Sequence, residues 1–163
     1  MKRHHGQAFG GPYIGIHLRR RDYVRARPKY VPSLEHAARQ ICYHLSRLNL
    51  SLAFIATDAE ENEIIELRKH AHSICQLSTS QIFTYRPDEQ ILVKILDGGK
   101  AIVDQWICAH ARYFIGSYES TFSFRIQEDR EIFGFHRDLT FNRLCGDDEG
   151  IECEKSTVWP IVY

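Results

Sequence analysis

Apolar and polar positions alternate in a regular order along this chain. Residues 13–19, YIGIHLR, follow a Gly-Gly-Pro and alternate β-branched with other side chains, so they predict a strand with His17 and Arg19 at its far end. Residues 19–32 are too polar and too interrupted by proline to predict a regular element. Ser33 then stands as an N-cap with Glu35 in the first turn. A helix is expected from there to about Leu48, because Leu34, Ala37, Ala38, Ile41, Leu45 and Leu48 recur at helical spacing.

LSLAFIATD, residues 50–58, is a nearly continuous apolar run, as in a parallel strand covered on both faces, and its polar end supplies the next N-cap. An amphipathic helix follows over residues 60–70. The stretch 73–87 is weakly patterned, with short strands expected around residues 74–77 and 82–85. From Asp88 two helical patterns are split near Asp97-Gly98-Gly99, the second carrying Ile102, Val103, Trp106, Ile107 and His110. RYFIGSYESTFSFRI then reads as strand, turn at Gly116, and a helix containing residues 122–131. The tail after Asp147 is irregular and ends in an extended STVWPIVY.

Repeated strand–helix units of this length predict an α/β fold, a Rossmann-like doubly wound parallel sheet. Ligands of such sheets sit at the carboxyl ends of the strands, so the loops after Leu18, Ala56 and Ile115 are the candidates. At 163 residues the chain has room for one core. Residues 1–11 are expected to be a disordered or linker segment and 12–163 the domain. MKRHHGQAFGG has a basic start without an apolar stretch behind it, so it is not read as a secretory signal peptide.

Composition narrows the function classes. The 21 basic side chains are balanced by 21 acidic ones, which gives no sign of a nucleic-acid partner. No apolar run reaches the roughly 18–20 residues of a membrane span. P-loop, dinucleotide, zinc-protease and hydrolase motifs are absent, as is any metal-ligand spacing. Cys145 and Cys153 lie close together in a polar segment and read as one local disulfide, while Cys42, Cys75 and Cys108 read as buried thiols. Spacing alone leaves open that Cys145 and Cys153 are both free.

Three features are candidates for chemistry. The basic cluster Arg19, Arg20, Arg21, Arg25, Arg27 and Lys29, with His17 before it, can clamp a pyrophosphate, since guanidinium donors pair with phosphate oxygens; a solvated basic loop is the alternative. Ser120 and Thr121 open a helix whose backbone N–H groups suit a phosphate, or they simply cap it. Asp104 sits among apolar neighbours and needs a donor, either the two adjacent N–H groups of a guanine edge or a salt bridge to Arg112 or Arg125.

Taken together, GIHLRRRDY (15–23), AFIATDA (53–59), residues 98–126 with DQWICAHA and STFSFRI, and FNRLCGD (141–147) resemble the GDP-fucose protein O-fucosyltransferases. The likeness runs over nearly the whole chain from Pro12 and is nearest to the branch acting on thrombospondin type 1 repeats in the endoplasmic reticulum lumen. It implies a GT-B type enzyme with two Rossmann-like domains, of which this chain resembles the C-terminal, donor-binding one. His17, Leu18 and Arg19 would contact GDP-fucose, with Arg19 neutralising the β-phosphate as the fucose bond breaks. Asp104 would take the guanine, and Ser120, Thr121 and Phe122 the nucleotide and phosphates. The resemblance also implies a Cys145–Cys153 disulfide, inversion at fucose, no metal or other cofactor, and a folded repeat as acceptor. The family's general base is a glutamate in a PGG-like motif of the N-terminal domain; Gly10-Gly11-Pro12 has the reverse order and no glutamate follows it. A GDP-sugar-binding module without catalysis, or an inactive fragment, is the alternative.

Overall fold

The computed structural model describes residues 7–158, apart from the side chains of residues 92, 95 and 97. Five strands form one sheet: β1 (Gly11–Leu18), β2 (Ala53–Thr57), β3 (Ile82–Phe83), β4 (Ala111–Gly116) and β5 (Asn142–Arg143). Their order is β3-β2-β1-β4-β5 and every pairing is parallel. The helices are α1 (Arg21–Ala26), α2 (Leu34–Leu48), α3 (Glu61–Cys75), α4 (Glu89–Ala109) and α5 (Thr121–Phe133).

The period of two along each strand sorts its side chains between the faces. Ile14, Ile16 and Leu18 of β1, Ala53 and Ile55 of β2, and Tyr113 and Ile115 of β4 pack with Ala37, Ala38, Ile41, Leu45, Leu67 and Ala71 of α2 and α3. Phe54, Ala56 and Phe114 face the other way, onto Cys108 and Ala109 of α4 and Ile126 of α5. Both faces are covered, as the continuous apolar runs require. Gly15 brings α4 close, because a Cβ there would stand 3.0 Å from the Cys108 Cα. Gly116 does the same for α5, where a Cβ would lie 2.8 Å from the Ser123 side chain.

Helix α2 begins as expected, with the Ser33 hydroxyl accepting from the His36 N–H, and closes on Asn49 in the left-handed region. Four expectations change. The arginine-rich stretch contains a helix, α1. A six-residue helix does not hold itself in water, but the Arg20 N–H is tied to Asp58 Oδ1 and the Arg20 carbonyl accepts from Tyr23 and Val24. In place of the strand expected at 74–77, α3 runs on to Cys75 and closes on Gln76 in the left-handed region, because Leu67 and Ala71 bury against α2. Asp58 does not cap α3; Glu60 occupies that position, its N–H donating to Glu63 Oε2. Cys42 and Cys75 are not thiols but a disulfide joining α2 to α3, an encounter between residues 33 apart in the chain that local patterning does not encode. Cys145 and Cys153 are joined as well, and Cys108 is the free, buried cysteine.

Helix α4 breaks at Leu96, whose φ of 56° and ψ of −177° are not helical, next to the predicted Asp97-Gly98-Gly99 split. Within the 1–11 segment, the Ala8 N–H donates to the Gly134 carbonyl and β1 starts at Gly11, so its described part is attached to the domain. Of the expected extended tail, residues 159–163 lie outside the described residues, and 156–158 are irregular. Among the described residues no helix is long and apolar enough to cross a membrane.

Candidate functional site

In a sheet of this order the chain leaves β1 toward β2 on one side and reaches β4 on the other, so the connections part above the carboxyl ends of β1 and β4. That divergence opens a crevice. Ser117, just past β4, bridges it: its hydroxyl donates to the His17 carbonyl at 2.7 Å and accepts from the Arg19 N–H at 2.9 Å. The ends of the two central strands are thereby locked together. Between them, β2 and α4 lies a cavity of about 440 Å³.

His17, Arg19, Asp104 and Phe122, four of the residues singled out from the sequence, line this one cavity. His17 projects to the α4/α5 face, opposite Leu18. Its Nδ1 lies 2.8 Å from the Ser123 hydroxyl, and its ring packs 4.7 Å from that of Phe122. Burial first, and then the Arg19 charge, push its pKa down to about 3, so the imidazole is neutral at physiological pH. With Nδ1 committed to Ser123, Nε2 is the ring nitrogen left for a ligand.

Arg19 lies one residue past β1 rather than on it. Its Nη2 donates to Asp22 Oδ1 at 2.8 Å, and its Nη1 sits 3.0 Å from Asp58 Oδ2, an ion pair without the alignment of a hydrogen bond. The rest of the arginine run divides by role. Arg20 is structural, its guanidinium donating to Glu63 and to the Pro32 carbonyl. Arg21 lines the cavity and donates from Nε to the Asp58 carbonyl. Arg20 is thus spent on the fold, while Arg19 and Arg21 border the cavity.

Asp104 reaches the cavity from α4. Neither Arg112 nor Arg125 pairs with it; Lys100, one turn earlier, donates to Oδ2 at 2.8 Å. Its Oδ1 is buried without a hydrogen-bond partner. Desolvation raises the pKa of this carboxyl, with Lys100 opposing. A buried carboxylate oxygen without a donor costs free energy that an N–H of a ligand recovers.

The remaining candidates are placed differently. The Leu18 side chain is in the core on the α2/α3 side, so only its backbone borders the crevice. Ser120 is buried at the N-cap of α5 without bonding to the helix through its hydroxyl, and Thr121 is the first, exposed residue of that helix. Neither side chain lines the cavity; the uncapped first turn of α5 adjoins it through Phe122. An uncapped helix start of this kind favours an anion.

Asp58, Lys100, Ser117 and Ser123 were not singled out from the sequence as residues of the site. The loop after β2 was, yet a carboxylate following a strand reads first as a helix cap. Ser117 and Ser123 carried no signal, since their role is to hold the neighbouring strand end.

A profile of the family described as "GDP-fucose protein O-fucosyltransferase" matches residues 1–133. Among curated relatives, GDP-fucose protein O-fucosyltransferase 2 of Homo sapiens is 47% identical over 163 residues, covering 100% of this chain and 36% of that protein. The protein of the same name from Caenorhabditis elegans is 48% identical over 157 residues, covering 96% of this chain and 34% of its own length. The chain thus spans about a third of the relatives it matches. Among solved structures, POFUT1 in complex with GDP-fucose shares the fold, with a TM-score of 0.55 and 17% identity over 85% of this chain and 41% of that one. The chain belongs to the GDP-fucose protein O-fucosyltransferase family.

Proposed function

We propose that this chain is the donor-binding half of a peptide O-fucosyltransferase, which transfers fucose from GDP-fucose, with inversion, to Ser or Thr hydroxyls of folded thrombospondin type 1 repeats. The observation that carries the reading is the meeting of Arg19, Asp104 and the uncapped start of α5 around one cavity at the crevice of the sheet. The spacing of chemistry matches a nucleoside diphosphate: an acceptor oxygen for a base at one wall, cations and helix amides for phosphates at the other.

In this reading Asp104 Oδ1 accepts from the guanine N–H edge. Arg19 turns its guanidinium from Asp22 toward the β-phosphate. Negative charge grows on that phosphate as the bond to fucose C1 breaks, and a guanidinium held beside it stabilises the leaving group more than the ground state. His17, neutral and anchored on Ser123, offers Nε2 to the same phosphates or to the sugar. The amides of Thr121 and Phe122 add donors. The base that deprotonates the acceptor hydroxyl comes from the part of the longer relatives that this chain does not match, and the endoplasmic reticulum lumen is the compartment where donor and repeat would meet.

Calorimetric titration of the purified chain with GDP-fucose, after a cooperative thermal transition has established that it is folded, tests the reading. Saturable binding is expected. Arg19→Ala should weaken it by about 10–100-fold, the worth of a charge-assisted contact. A folded chain that gives no heat, or an Arg19→Ala variant that binds as the parent does, overturns it.

A further inference from the structure

The loop after β1 carries three successive arginines, and one residue of another loop holds all three. Asp58 Oδ1 accepts from the Arg20 N–H at 2.7 Å. Its Oδ2 lies 3.0 Å from Arg19 Nη1. Its main-chain carbonyl accepts from Arg21 Nε at 2.9 Å. Next to it the Thr57 hydroxyl donates to the Leu18 carbonyl at 2.6 Å and accepts from the Ala59 N–H, so both loops are pinned where their strands end. The Asp58 side chain is only 18% exposed, and its Oδ2 makes no hydrogen bond despite the ion pair.

These contacts do more than neutralise charge. Arg20 precedes α1, and its amide, next to that of Arg19 on Ser117, is tied to a side chain of another loop; its carbonyl starts the helix. Ser117 holds the start of the loop at the Arg19 N–H; from there the path of residues 20–21 depends on Asp58, and the direction of the Arg19 guanidinium on Asp58 Oδ2 and Asp22. Asp104, which faces the same cavity from α4, is hydrogen-bonded to Lys100, and among the described residues no hydrogen bond or ion pair joins it to this loop.

We propose that Asp58 is the positioning residue of the donor site: it fixes the loop that delivers Arg19 and Arg21 to the phosphates, and leaves recognition of the base to the α4 wall. This rests on the donor-binding reading above. The alternative physical outcome is that a carboxylate beside the phosphates repels them, in which case its removal would tighten binding.

The test compares GDP with guanosine, which lacks the phosphates, on the parent chain and on Asp58→Ala and Asp58→Asn. GDP is followed by calorimetry and guanosine by ligand-observed NMR. Amide exchange at Arg20 is measured without ligand. Asp58→Ala should weaken GDP by about tenfold or more while guanosine changes by less than about twofold. Asp58→Asn keeps an acceptor for the Arg20 N–H and should recover part of the loss. Exchange at Arg20 should quicken in Asp58→Ala and stay near the parent rate in Asp58→Asn. Equal GDP binding, tighter GDP binding, or a parallel loss of GDP and guanosine each overturns the proposal. If Asp58→Ala does not fold, the Asp58→Asn comparison and its exchange rate decide. A parent chain that binds neither ligand refutes the donor reading instead, and unchanged exchange at Arg20 then refutes the hold on the loop independently.

Discussion

Arg130 and Arg19 stand at opposite ends of the same sheet, and their surroundings separate a cation that builds the fold from one that is free to act. Arg130 is fully buried on α5. It donates to the Ala109 and Ala111 carbonyls, where α4 ends and β4 begins, and to the Leu139 carbonyl, with its guanidinium 4.0 Å over the Phe135 ring. Its charge meets the negative end of α4, and it carries the donors that those carbonyls would otherwise lack. Burial lowers its pKa to about 10, which still leaves it charged at neutral pH. Arg19 faces carboxylates rather than carbonyls, is 36% exposed, and borders a cavity. Side-chain partners on an exposed rim can be exchanged for a ligand; main-chain partners in a core cannot.

The largest expected effect follows from that difference. Arg130→Met removes the donor from the buried Cys108, Ala109 and Ala111 carbonyls and the partly buried Leu139 carbonyl and should cost about 3–5 kcal/mol of folding free energy, read as a lowered denaturation midpoint. Arg19→Ala should leave that midpoint nearly unchanged. Equal destabilisation by the two would break the comparison.

A smaller effect is expected at the cavity wall. Asp104→Asn exchanges a charged acceptor for an amide and should weaken GDP by about tenfold while affecting a nucleotide without the guanine N–H edge, such as ADP, far less. Titration with both nucleotides measures the ratio, and an unchanged ratio would remove Asp104 from base recognition.

The smallest effect is on pH dependence. His17 has its pKa lowered by burial to about 3, and His44, on α2, is lowered to about 4 by burial and then by Arg47. Both are neutral in the native state where the unfolded chain takes up protons. Stability is therefore whole above about pH 6.5 and declines as pH falls toward those native values, by up to about 1.4 kcal/mol per pH unit for each histidine. Thermal melts between pH 7 and 5 should show the decline, and His17→Asn or His44→Gln should each flatten part of it. A melting temperature insensitive to pH over that range would mean that neither ring is buried as described.

Much of this was legible in the chain itself. The strands β1, β2 and β4 and the helix α2 followed from periodicity and a Ser33 cap, because each buries a face along its own length. The crevice followed from the parallel order, and His17, Arg19, Asp104 and Phe122 reached one cavity. The misses share a cause. Helix α1 depends on Asp58, the last turn of α3 on its packing against α2, and the Cys42–Cys75 bond on the same pair of helices. Of the other residues named, Leu18 sends its side chain into the core through the strand's alternation, and Ser120 and Thr121 open α5 as read from the chain.

What the sequence by itself determined is the set of elements and the chemical types available at each strand end, since periodicity, caps and turn residues act over a few positions. The tertiary structure decided which charges are spent and which remain. Lys100 rather than Arg112 or Arg125 meets Asp104, Arg20 is consumed by Glu63 and Pro32, and Asp58 binds the arginine loop instead of capping a helix. Ion pairs and hydrogen bonds act over a few ångströms of space, and residues 38 apart, like Arg20 and Asp58, become neighbours only when parallel strands bring their ends to one edge.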